Sequence, residues 1–398
     1  MPITNRKAIL FILATVNFTH IVDSMLIMPL GDIFIEEFKI SASEFSYLVS
    51  AYAFAAFFSS ILGTFLIDRF DRKQAFLTAY IGFAIGTLLC AFAQGYEMLL
   101  GLRFLTGLFG GVIGAIVLSI VSDLYLFKER GSAMGVLFAA FSAASALGIP
   151  IGLFLAAKSN WQLPFMIIGI LGLVISTIIY FVFPKMTDHF SSISEKPSMI
   201  KTVTAITSDK NQVNALIAGG VLILAHFLII PFISPYMIKN VGFTQVEISY
   251  QFFLGGVATI FSAPLIGRWT DRIGVMKVFS VLMVLSFIPT LLITHLSFVP
   301  IWVGLCYTTL FFILASGRMI APNALITAAA PTANRGSFMS VKSALQQLAI
   351  GMSALISGQI IYLEDDAYFN YHLVGYLAIA IGIVSIWLVS KIKVAEGN

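Results

Sequence analysis

The sequence predicts an all-α integral membrane protein with twelve transmembrane helices in two pseudo-symmetric six-helix bundles, and three observations lead there. Hydrophobic residues make up 59% of the chain and charged ones 11%, with 36 Phe, at a mean hydropathy of +0.97; a soluble domain carries about 25% charged residues. The apolar runs are long and continuous, matching the roughly 20 residues a helix needs to cross a bilayer core. They lack the short alternating segments of a membrane barrel. Finally, the chain echoes itself. Asp68-Arg69 returns as Asp271-Arg272 at an offset of 203, and Arg130-Gly131-Ser132-Ala133-Met134 returns as Arg335-Gly336-Ser337-Phe338-Met339 at an offset of 205.

Taken in order, the first span covers 8–30. It follows Arg6 and Lys7, carries Asp23 and has no small-residue cleavage site, so it reads as an uncleaved helix. Spans 44–67 and 74–94 flank a turn with five charges, Asp68, Arg69, Asp71, Arg72 and Lys73. Span 98–122 places Gly107, Gly110, Gly111 and Gly114 at steps of three and four, a spacing that lets helices approach closely. Span 131–157 holds Gly148-Ile149-Pro150-Ile151-Gly152, and span 162–183 completes a first bundle over residues 1–183. Residues 184–212, with five serines, Pro197 and four lysines, read as a cytoplasmic linker. A second bundle over 213–398 then repeats the order with spans 213–239, 245–269, 275–295, 299–327, 335–362 and 370–391. The remaining loops are too short for a soluble catalytic domain.

Charge follows the same plan. With the N-terminus cytoplasmic, 17 of the 23 Lys and Arg fall on the cytoplasmic side. Lys39, Lys158 and Lys239 fall outside, and Arg103, Arg318 and Lys342 within the membrane. This is the positive-inside bias. It places both termini in the cytoplasm and accounts for the net charge of +4 without a nucleic-acid partner. Cys90 and Cys306 sit in apolar runs, which gives neither a disulfide framework nor metal-ligand spacing. There is no Ser/His/Asp set and no phosphate loop, so the chain reads as no enzyme, without metal or cofactor, and any energy source is an ion gradient.

Polar groups inside the spans are the candidate machinery. Thr15, Thr19 and Asp23 recur at steps of four, with His20 three before Asp23, which makes one polar helix face. A carboxylate at mid-membrane costs about 2.5–3.5 kcal/mol on insertion scales, and burial lifts its pKa toward neutrality. Asp23 is therefore the expected proton-coupling group, with His20 as modulator and either Arg103 or Arg318 as the answering cation. Asn17, His226, Arg318, Asn323, Gln346 and Gln347 are the expected lining of a substrate cavity, and Lys342 is expected to snorkel to the cytoplasmic interface.

Six spans, a basic linker and six more with shared signposts resemble the major facilitator superfamily over nearly the whole chain. That family's turn after the second span reads Gly-x-Leu-x-Asp-Arg-x-Gly-Arg-Lys. Leu66, Asp68, Arg69, Arg72 and Lys73 match it, Thr64 and Asp71 replace its glycines, and the second copy keeps Gly267 and Gly274. Leu102-Arg103-Phe104-Leu105-Thr106-Gly107 looks like the family's embedded-arginine motif, and Gly148, Pro150 and Gly152 resemble the helix kink of its drug and sugar efflux branch, with Ile149 between the Gly and the Pro.

The resemblance implies a proton-coupled secondary transporter in the inner (plasma) membrane, exporting a small drug-like or sugar-like molecule by alternating access. Its partners would be substrate, protons and the bilayer, and it would act as a monomer. An uptake symporter or facilitator, a lysolipid transporter and a non-transporting receptor are the alternatives. A cytoplasmic gate is expected from Asp68, Arg69, Arg72, Asp123, Arg130, Asp271, Arg272 and Arg335. A carboxylate gains about 0.3–1 kcal/mol beside a helix N-terminus, so Asp68 is expected at the start of span eleven near Arg335, and Asp271 at the start of span five near Arg130. Asp123 is expected to join Arg69 or Arg72.

Overall fold

The computed structural model describes residues 6–66, 70–125, 127–187, 199–331 and 335–395. Within a bilayer core the backbone must satisfy its own hydrogen bonds, which leaves an apolar run the helix as its spanning form. The helices are α1 (Arg6–Leu26), α2 (Gly31–Phe38), α3 (Ala42–Leu66), α4 (Arg72–Cys90), α5 (Tyr96–Leu124), α6 (Phe127–Ala143), α7 (Ile149–Lys158), α8 (Gln162–Val182), α9 (Met199–Ser208), α10 (Lys210–Phe227), α11 (Ile230–Tyr236), α12 (Gln245–Ile273), α13 (Val275–Thr294), α14 (Ile301–Ala328), α15 (Arg335–Ile360) and α16 (Tyr371–Ser390). π-helical turns at Ala144–Gly148 and Met237–Val241 follow α6 and α11.

Among the described residues, eleven helical segments are long and apolar enough to cross a membrane. The twelfth expected span, α15, has the length, but it carries Arg335, Lys342, Gln346 and Gln347 and is less apolar. Two features depart from the expected layout. Part of the expected linker is helical, as α9. Between α15 and α16 the chain forms a short hairpin of β1 (Tyr362–Glu364) and β2 (Ala367–Phe369), with Tyr362 opposite Phe369. Its turn residues Asp365 and Asp366 both have positive φ, as a two-residue hairpin turn requires.

The chain divides into two units, Met1–Leu26 with Ala51–Met199, and Ile27–Ser50 with Ile200–Asn398. In the first, α4 packs on α5 and α8, and α1 on α6 and α8. Leu13, Val16, Phe76, Tyr80, Phe83, Ile120 and Ile179 form its core. In the second, α13 packs on α14 and α16, and α10 on α15 and α16, around Ala215, Leu222, Phe279, Met283, Phe338 and Val389. The two sets of helix pairs correspond one for one, which is the sequence echo expressed as packing.

Segment Ile27–Ser50 joins the second unit because its side chains find partners there. Phe45 packs edge-on against Phe232 with ring centroids 5.6 Å apart, Ser50 Oγ donates to the Gly351 carbonyl at 2.9 Å, and Gln359 Nε2 donates to Ser43 Oγ at 2.7 Å. The boundary after Leu26, where α1 ends, comes just before Pro29, whose ring nitrogen carries no hydrogen for a continuous helix. A matching break separates α10 from α11, with Pro231 at the start of α11.

Local chemistry sets the helix starts. Asp71, which stands where the family turn has its second glycine, caps α4 by accepting from the Lys73 N–H at 2.9 Å, and it also accepts from the Met186 N–H at 3.1 Å. The second copy solves the same corner differently. Gly274, at φ 98°, links α12 to α13 through a conformation that side chains with a Cβ avoid. Thr244 and Glu247 form a reciprocal capping box at the start of α12.

Candidate functional site

In the first unit, α1 and α5 bring Asp23 and Arg103 together. Arg103 Nη1 donates to Asp23 Oδ2 at 3.0 Å, with both side chains fully buried. Thr87 Oγ1, from α4, donates to the other carboxylate oxygen at 3.0 Å. The guanidinium lies over the Tyr52 ring, 4.6 Å from its centroid, and the Tyr52 hydroxyl meets His20 Nε2 at 3.0 Å. A turn away, Thr19 Oγ1 and the Tyr80 hydroxyl are 2.8 Å apart. Of the two arginines proposed from sequence to answer Asp23, the structure selects Arg103. Thr87 and Tyr52 were not foreseen, because one hydroxyl in an apolar run has no signature apart from its neighbours in space.

The approach of α5 that makes this geometry depends on small residues. A Cβ on Gly107 would stand 2.9 Å from the Tyr52 Cα and 3.0 Å from the Ala55 Cβ, and one on Gly110 would stand 3.1 Å from His20 Nε2. Asn17 lies on α1 as well, and its Nδ2 donates to the Leu137 carbonyl at 3.2 Å, tying α1 to α6.

The remaining expected cavity residues lie in the second unit. Arg318 is buried on α14, donating from Nη1 to Ser286 Oγ at 2.8 Å and to Met283 Sδ at 3.6 Å. His226 on α10 stacks parallel to Phe311 at 6.3 Å and falls within electrostatic reach of Arg318. Gln346 and Gln347 are half-buried on α15. Lys342 departs from its expected snorkelling. It is 5% exposed, and its ammonium donates to Asn323 Oδ1, a partner one helix away that substitutes for interfacial water.

Of the expected gate, Asp68, Arg69 and the side chain of Arg130 lie outside the described residues. Arg72 pairs with Asp123, Nε to Oδ2, at 2.7 Å within the first unit. Asp271 and Arg272 are exposed near the end of α12, and Arg335 is half-buried at the start of α15. Gly148, Pro150 and Gly152 sit where the π-helical turn passes into α7. The wider turn accommodates a proline that has no N–H to give to the preceding turn. A Cβ on Gly148 would stand 3.1 Å from Phe18 Cζ, and one on Gly152 would stand 2.9 Å from Leu26 Cδ1, so both glycines admit α1.

A further cluster, not anticipated, lies in the second unit beyond the spans. Lys239 pairs with Asp366 at 2.8 Å and with Glu36. Asp32, 2% exposed on α2, leaves Oδ1 without a hydrogen-bond partner among the described residues, while Oδ2 has only Gln245 Nε2 at 3.5 Å. Burial pushes the Asp32 carboxyl up to about 7, against the opposing pull of Lys239. Its members come from positions 32, 36, 239 and 366, so no local spacing announces it.

The comparisons with known proteins agree with this architecture. The model of the Major Facilitator Superfamily matches residues 13–212 and 215–396. A probable sugar efflux transporter of Mannheimia succiniciproducens is 22% identical over 376 residues, covering 94% of this chain and 90% of its own. Another of the same description, from Helicobacter acinonychis, is 23% identical over 377 residues, with 91% and 89% covered. Among solved structures, a bacterial homologue of the human lysosomal transporter Spinster, inward-facing and occupied, superposes at a TM-score of 0.76 with 14% identity and 99% of each chain covered. A D-xylose–proton symporter superposes at 0.74 with 16% identity and 98% of each covered. With the family model running through both halves of a repeated helical chain, the protein belongs to the major facilitator superfamily, as a multi-pass membrane transporter and not an enzyme.

Proposed function

We propose that this transporter is proton-coupled and exports a small organic molecule, sugar-like or drug-like, by exposing a site near the membrane midplane alternately to the two sides. The observation that carries the reading is the fully buried Asp23–Arg103 pair, with Thr87 on the second carboxylate oxygen. A carboxylate inside the membrane can take up a proton and lose its charge, and an adjacent arginine sets how readily it does so. Protonation of Asp23 releases Arg103, which touches Tyr52 and through it His20. Charge at Asp23 is thereby linked to the side chains on α3 and α5.

The sugar efflux names of the Mannheimia and Helicobacter relatives support a sugar-like cargo and the outward direction. Asn17, His226, Arg318, Asn323, Gln346 and Gln347 would contact the cargo. The proton gradient supplies the energy, the chain works as a monomer, and both termini lie in the cytoplasm, as the distribution of Lys and Arg favours.

The test is proton release from weakly buffered, detergent-purified protein on addition of candidate sugars and drugs, with Asp23→Asn alongside. Saturable release that disappears in Asp23→Asn is the expected result. Equal release from both proteins would remove Asp23 from coupling, and binding without release from either would favour a facilitator or a sensor.

A further inference from the structure

The two units treat their buried cations differently. In the first, Arg103 has a carboxylate. In the second, Arg318 is 2% exposed and has a neutral serine hydroxyl and a thioether as partners; its Nε, like that of Arg103, has no hydrogen-bond partner among the described residues. The neighbouring His226 likewise leaves Nδ1 unpartnered. Farther along, Lys342 is 5% exposed and, among the described residues, has only the neutral Asn323 amide oxygen as a partner. No carboxylate pairs with Arg318 or Lys342 among the described residues.

The sequence explains why. Helices α10, α13, α14, α15 and α16 contain no Asp or Glu at all. His226 stands 203 residues after Asp23, the same offset that separates the two Asp-Arg turns, so an imidazole holds the place where the first unit has its acid. A guanidinium kept at low dielectric without a counter-charge is costly, and one neutral hydroxyl does not offset that cost. Its planar fork of donors suits the paired oxygens of a carboxylate or phosphate.

We propose, resting on the transport reading above, that Arg318, with His226 within its electrostatic reach, receives an anionic oxygen group, carboxylate or phosphate ester, of the transported molecule. Lys342 and Asn323 form a second station. Asn323 lies five residues beyond Arg318, about 7.5 Å along the helix. An acidic or phosphorylated sugar would satisfy both this site and a sugar-like cargo.

The experiment is thermal unfolding of the purified full chain, titrated with D-glucuronate, glucose 6-phosphate, inorganic phosphate and neutral D-glucose at matched ionic strength. The expected result is a saturable rise in melting temperature with at least one of the two charged sugars and none with glucose. In Arg318→Gln the apparent affinity should fall about tenfold or more, the scale of losing a charge-assisted bond, and Arg318→Lys should keep part of it. A response equal for charged and neutral sugars, a response that survives in Arg318→Gln, stabilisation by inorganic phosphate alone, or no stabilisation by any probe would each overturn the assignment.

Should Arg318→Gln fail to fold, His226→Asp supplies a carboxylate within electrostatic reach of the intact arginine and is expected to weaken the response similarly. An unchanged response there would also overturn it. The proton-release comparison with Asp23→Asn reports on the transport reading alone. Release lost in that variant, with no preference for charged sugars, would sink the anion site and leave proton-coupled transport standing.

Discussion

An ion pair removed from water survives when each charge has its partner, and Asp23 and Arg103 meet that condition in the first unit, with Thr87 on the second carboxylate oxygen and Arg103 Nε and Nη2 left without a hydrogen-bond partner among the described residues. Removing one member should therefore cost more than removing both. Arg103→Met is expected to lower the melting temperature markedly, because it strands a buried carboxylate at a cost of about 3–5 kcal/mol. Adding Asp23→Asn to the same chain should restore most of the loss. Fluorimetric melts of the two single variants and the double variant give the coupling directly. Additive effects, within about 0.5 kcal/mol, would mean that the two side chains do not stabilise each other. The presence of a mid-helix acid and two deep arginines was legible in the sequence, but the choice between Arg103 and Arg318 was not. Reach between helices depends on glycine-permitted approach, as at Gly107 and Gly110.

At the scale of elements, the attachment of α2 is expected to respond to protons. Asp32 is buried there, with a carboxyl pushed up to about 7 by burial, whereas an unfolded Asp titrates near 3.9. A carboxyl with a raised folded-state pKa binds more protons folded than unfolded. Its stabilising contribution is therefore complete below about 4 and is lost as pH rises through about 7. Amides of Gly31–Phe38 should accordingly be better protected from hydrogen exchange at about pH 5 than at about pH 8, after correction for intrinsic rates. Asp32→Asn should flatten that dependence, and an identical profile in both proteins would assign it to other groups. Lys239, bridging Glu36 and Asp366, holds the same region by ion pairs. The hairpin that carries Asp366 had a readable cue, two aspartates between aromatic-flanked triplets, and its shortness hid it among the loops.

For the whole molecule, the charged turns are where the balance between inward-open and outward-open forms is expected to be set, since an acid in a basic loop does nothing for orientation. Asp68→Asn should shift that balance, read as the distance distribution between paired spin labels on the helix ends that flank the charged turns. An unchanged distribution would make Asp68 a loop anchor. The first-copy partner of this system, Arg72 with Asp123, joins α4 to the end of α5 inside one unit.

The sequence by itself determined the class, the order and nearly the ends of the spans: α3 at Ala42–Leu66 and α13 at Val275–Thr294 lie within two residues of the spans read from hydropathy, 44–67 and 275–295. Lipid offers an apolar stretch no water with which to bond its backbone, so hydrophobic length converts almost directly into helix. It also determined the repeat, which reappears as corresponding helix pairs in the two units. Tertiary structure alone decided which groups meet: Arg103 with Asp23, Lys342 with Asn323, the acids of positions 32, 36 and 366 around Lys239, and Ile27–Ser50 with the second unit. These contacts join positions far apart in the chain. Pairing energies fall with distance and grow with burial, so they are fixed by the packing of whole helices, which no local window of sequence contains.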